Sequence, residues 1–201
     1  MSAHLQLDHF SIDGERIGVH VDPHESELLS GLIGQVRALL IERGSEVGDS
    51  SAFAADDGAD ETAMLSALEH SLTPLPPPTD EVLARLLPSG RRDNAERAGG
   101  SAIEFRRLTE GDLRRSKIAD ADQALAVLTA GESGASLNSG EAQSLLRAIN
   151  DVRLSLGARL DVTEDTPYPR SIRNEHDQAL AIYFWTGSVQ EELVTVLGAV
   201  G

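Results

Sequence analysis

The chain has 201 residues, 40% of them hydrophobic but only 3% aromatic, and a formal net charge of −16. That length buries a core as one domain, and the absence of cysteine removes disulfides, thiolate catalysis, thiol redox sensing and cysteine-ligated zinc together. The acidic balance disfavours nucleic acid unless a local basic patch overrides it; no apolar run is long enough to span a membrane, no signal peptide opens the chain, and it reads as cytoplasmic.

With aromatics scarce, the core must be built from Leu, Val, Ile and Ala, which favours packed helices over a β-sandwich. Residues 7–21 alternate in polarity around Asp13-Gly14 and predict a β-hairpin. Asp22, Pro23 and Glu25 then form a capping box at a helix start. Leu28, Leu29, Leu32, Ile33, Val36, Leu39 and Leu40 draw its apolar stripe, and Gly44 is expected to close it. Residues 44–63 carry six acids and no base among Gly, Ser and Ala, and read as a mobile acidic loop.

A short helix is expected over 61–72, a proline spacer after it, another short helix over 80–88 and a loop over 89–100. Thr109 with Asp112 reads as the cap of a helix that continues through Leu113, Ala121, Leu125 and Leu128 to Gly131. A Gly/Ser linker follows to residue 140. From Ser139, Leu145, Leu146, Ile149, Val152, Leu156 and Leu160 recur at helical spacing, and a last helix is expected over 174–197. The expectation is a mainly α protein, a single domain over 1–201. It has a short N-terminal β-hairpin and a main helical bundle over 80–198.

Charge is distributed unevenly. Residues 85–117 hold nine basic against five acidic side chains, a net +4 against −20 for the remainder. Arg91, Arg92, Arg106, Arg107, Arg114, Arg115 and Lys117 are therefore the candidate partner-binding residues. Helical spacing also supplies internal partners: Glu104 with Arg107, Glu110 with Arg114, and Asp112 with Arg115, at about 0.2–0.5 kcal/mol per pair. The same arginines thus read as salt-bridged helix surface, as a patch for an acidic protein segment, or as phosphate contacts.

Asn150, Arg153 and Gly157 fall on adjoining turns of one face. A buried Arg153 would need a carboxylate, and Glu104 or Asp151 is placed to supply it. Glu104, Arg107, Asn150, Asp151 and Arg153 are accordingly a candidate structural polar network. Tyr183, Phe184 and Trp185 are consecutive on a helix and cannot all face one core, so they are a candidate homodimer seam. His20, Asp22 and His24 lie close in sequence without a recognised metal-ligand spacing. No catalytic motif and no cofactor-binding loop is present.

The strings EFRRLT at 104–109 and NDVRLSLGARL at 150–160, with the aromatic last helix, resemble an actinobacterial family of unknown function. Members of that family are commonly encoded beside the ClpS adaptor, and some are described as oxidative-stress transcriptional regulators. The matching positions are Glu104, Phe105, Arg106, Arg107, Leu108 and Thr109, then Asn150, Asp151, Arg153, Leu154, Leu156, Gly157, Arg159 and Leu160. The resemblance implies no enzyme mechanism. It implies a regulator in transcription or stress response, and the acidic net charge suits contact with protein, such as a sigma factor or RNA polymerase, better than contact with operator DNA. The alternatives are DNA binding through 91–117 or an accessory role in Clp proteolysis. A regulator that senses oxidants through its own thiols cannot be copied onto a chain without cysteine.

Overall fold

The computed structural model describes residues 7–47, 75–88, 99–130 and 136–200, with the backbone alone at 99–105, 107 and 130. Strand β1 (Phe10–Asp13) pairs antiparallel with β2 (Arg16–Val19), Phe10 opposite Val19 and Asp13 opposite Arg16. Gly14 makes the tight reversal possible, at φ 66°. Phe10, Ile12, Ile17 and Val19 all point inward, as the alternation predicts.

Helix α1 (Pro23–Glu46) starts at the expected capping box: Asp22 accepts from the backbone N–H of His24 and Glu25, and Glu25 accepts from that of Asp22. It does not close at Gly44. Gly44 is buried, and a Cβ there would stand 3.1 Å from Nε of Arg114, so this glycine permits close approach rather than ending the helix. Residues 44–46 of the expected acidic loop are therefore helical. The rest of that loop beyond 47, the helix expected over 61–72 and the segment 89–98 lie outside the described residues.

Helix α2 (Glu81–Leu86) is capped by Asp80, whose side chain accepts from the backbone N–H of Leu83. Helix α3 runs from Gly99 to Ala130, so Thr109 and Asp112 sit inside it and cap nothing. Gly99 and Gly100, which favour chain breaks locally, belong to this helix and not to the loop expected there. The Gly/Ser linker also holds a strand: β3 (Ser136–Leu137) joins the sheet beside β2, Ile17 opposite Leu137, in the order β1-β2-β3. Helix α4 (Ser139–Arg159) opens on an Asn138–Glu141 capping box. Helix α5 (Glu175–Val200) begins where Asn174 accepts from the N–H of Asp177.

The fold is mainly α, with the small sheet laid against the helices. Helix α3 packs between α1 and α4, while α4 also carries α2, α1 and α5, and α5 reaches back to β1. Leu29, Ile33 and Leu40 meet Leu128, Leu145, Ile149, Val189 and Leu193 in one aliphatic core. Among the described residues, no helix is long and apolar enough to cross a membrane.

Candidate functional site

Among the described residues, polar constellations interrupt the aliphatic packing at several places. The first lies between α1 and α3. Glu110, 3% exposed, accepts from Nε of Arg43 at 2.9 Å and from Nη1 of Arg106 at 2.9 Å. Arg114 brings a third guanidinium to 4.0 Å of the same carboxylate. Arg43 also donates to the carbonyl of Pro76, and Arg106 to that of Leu87, so the cluster ties α1 and α3 to the connection around α2. Arg106 and Arg114, expected among the partner-binding residues, are 8% and 3% exposed. They are withdrawn from solvent, where an outside partner would meet them.

The second lies one and two turns further along α3. Lys117 donates to Asp151 of α4 at 2.5 Å, and Arg147 grips Asp120 with two bonds of 2.7 Å each. Burial raises the Asp151 carboxyl above its ordinary value, with Lys117 opposing that shift. Burial also opposes ionisation of Asp120, but the hydrogen bonds from Arg147 and Ser144 outweigh it and hold the carboxyl low. Lys117 is thus committed within the chain. Arg115 stays on the surface, against Asp112 as helical spacing predicts. Arg91 and Arg92 lie outside the described residues, as do the side chains of Glu104 and Arg107.

The third lies between α4 and α5. Arg153 does not meet Asp151, which faces α3. Its Nη1 donates to Gln190 at 2.7 Å, and its guanidinium stands 5.1 Å from the centre of the Tyr183 ring. Gln190 in turn donates to Asn150 at 3.5 Å, and Tyr183 covers Gly157. The expected polar network therefore divides: Asp151 works toward α3, whereas Asn150 and Arg153 work toward α5. Nε of Arg153 is buried without a hydrogen-bond acceptor. The guanidinium borders an open groove along α5 formed with Phe184, Gly187, Glu191 and Val194.

The three consecutive aromatics separate as their helical angles require. Trp185 turns to the hairpin, its ring edge-on to His9 at 6.3 Å. Tyr183 faces α4, and Phe184 packs against Tyr168, itself 63% exposed. His9 was hidden in the sequence. Its Nδ1 meets Glu192 at 2.9 Å, its Nε2 meets Glu25 at 3.3 Å, and its backbone N–H donates to Glu192. Burial opposes protonation of the ring, but both carboxylates outweigh it and raise His9 above 6.5.

Arg43 and Glu110 were also missed as a pair, being 67 residues apart. A signal existed nonetheless. Arg43 continues the Ile33, Val36 and Leu40 stripe of α1. Arg106, Glu110, Arg114 and Lys117 continue backward, at spacings of three and four, the stripe of Ala121, Ala124 and Leu128. Charge on a core stripe marks buried pairing.

Residues 7–197 match the family described as Domain of unknown function (DUF2017), and the chain belongs to that family. It is 29% identical over 198 residues to a protein of Mycobacterium leprae (strain TN), covering 93% of this chain and 85% of the relative. Over 196 residues it is 29% identical to the protein named oxidative stress regulator AosR in Mycobacterium tuberculosis (strain H37Rv) and in Mycobacterium bovis. Each of those alignments covers 92% of this chain and 84% of the relative. No solved structure matches.

Proposed function

We propose that this chain is a non-enzymatic regulator that works by contact with another protein, in transcription or stress response. A sigma factor or RNA polymerase is the partner class. The regulator name of its relatives supports the general role. The observation that carries the contact mechanism is the outer face of α3. Leu108 is 61% exposed, on the same helical face as the Arg115–Asp112 pair. Exposed leucine flanked by charge suits a protein surface, because apolar side chains gain nothing from phosphates. The DNA-binding alternative loses support for the same reason. Of the residues it would set on phosphates, Arg91, Arg92, Arg114, Arg115 and Lys117, two are held by buried carboxylates: Arg114 by Glu110 and Lys117 by Asp151.

Within these 201 residues there is no thiol to oxidise. A cysteine switch within these residues is therefore not the route by which an oxidant signal would reach the chain.

The test is binding of the full chain to RNA polymerase and sigma factors purified from its own host, with and without nuclease. Leu108→Asp combined with Arg115→Glu should reduce nuclease-resistant binding at least tenfold while leaving the circular dichroism spectrum unchanged. Binding that vanishes with nuclease would move the function to nucleic acid. Equal binding by the variant would remove this face of α3 from the account.

A further inference from the structure

The groove along α5 contains a cation and an anion that the chain leaves unmatched. Among the described residues, Arg153 has no carboxylate partner: Gln190 takes Nη1, Tyr183 lies across the guanidinium, and Nε is buried without an acceptor. Glu191, exposed on the same groove, has no basic partner among the described residues either. Leaving a guanidinium half-buried beside an aromatic ring without a counter-charge costs stability that an incoming carboxylate would recover. Gly187 brings this about. A Cβ at that position would stand 3.3 Å from the guanidinium carbon, so only glycine lets Arg153 reach across α5 to the groove without displacement.

We propose that a second copy of this chain fills the groove, with the two α5 helices antiparallel about a two-fold axis at the level of Val189. The face is self-complementary in that register. Phe184 of one chain stands opposite the partner's Val194, which is 52% exposed in the single chain. Gly187, with Arg153 beside it, stands opposite the partner's Glu191, and two-fold symmetry repeats both contacts. A patch that carries its own counter-charge at the mirrored position is what an isologous interface requires. Gly187 and Ser188 at the centre present little bulk, which lets two helix backbones approach. The occupant is thus chosen by charge and register, and Trp185, turned toward His9, takes no part. The inference is independent of the α3 contact surface.

Charge reversal tests it. In sedimentation equilibrium, wild type should sediment at twice its 21.4 kDa chain mass. Arg153→Glu places two carboxylates together and Glu191→Arg places two guanidiniums together, so each variant alone should sediment at the single-chain mass. An equimolar mixture of the two should recover the doubled mass, because each cross-pair then joins opposite charges. Glu191 is exposed, so Glu191→Arg keeps the test open even if Arg153→Glu misfolds; thermal melts identify that case. A single-chain mass for wild type, or a doubled mass that Glu191→Arg leaves intact, overturns the proposal.

Discussion

Arg43 and Arg153 are the same residue type on the flanks of the same core, and the chain treats them in opposite ways. Arg43 meets Glu110 in the interior, where a second and a third guanidinium close around one carboxylate. Arg153 is given an amide and an aromatic ring, and borders an open groove. A guanidinium supplied with its own carboxylate in the interior fixes how two helices sit. One that lacks a carboxylate and faces a groove is available to recognise something. Basic composition does not distinguish these uses, but the neighbouring acid does.

Breaking the interior pairing should give the largest effect. Glu110→Gln leaves buried guanidiniums facing a neutral amide, and should destabilise the fold by about 3–5 kcal/mol in urea denaturation. It should leave the assembly mass of the fraction still folded unchanged. His9 comes next. Its raised value means that its bonds to Glu192 and Glu25 stabilise fully below pH 6.5, and that this contribution fades as pH rises through the folded value. Wild type should therefore exceed His9→Gln by about 1.5–3 kcal/mol near the acid end of that window. The gap should narrow with rising pH, and a gap that widens instead would reverse the assignment.

Arg153→Gln sharpens the contrast from the other side. It removes one hydrogen bond and a ring contact, so chemical denaturation should register a loss of about 1 kcal/mol. The same variant should still weaken self-association. A stability loss as large as that of Glu110→Gln would make the two arginines equivalent and dissolve the comparison. The smallest effect belongs to Arg37, whose pairing with Asp122 is open to solvent. Arg37→Gln should change stability by roughly 0.5 kcal/mol or less and respond to salt.

These differences also show what was legible in the sequence. Local chemistry was: Asp22 with Glu25 marks the start of α1, and the leucine periods of α1 and α4 mark their inner faces. Elements without a period were not. A two-residue strand at Ser136–Leu137 carries no alternation to detect, and Gly99-Gly100 looks like a break although both residues are helical. Long-range pairings were the hardest. Lys117 with Asp151, and Arg153 with Gln190, join residues 34 and 37 positions apart, whereas helical spacing was enough to find Arg115 with Asp112 and Arg114 with Glu110. The separation of Tyr183, Phe184 and Trp185 onto three surroundings was foreseeable from helix angle, but not which surrounding each would find.

The bond between His9 and Glu192 spans 183 positions, nearly the whole chain. During synthesis the hairpin emerges well before α5, so the early strand waits for its anchor until that helix has been made. Segments that pair late pass through a period of exposed edges and apolar surface. A stalled or truncated product lacking α5 would keep β1 unfastened and the Val189 and Leu193 side of the core uncovered. Cellular proteases would meet such a product as an open substrate, so α5 also shields the core from degradation.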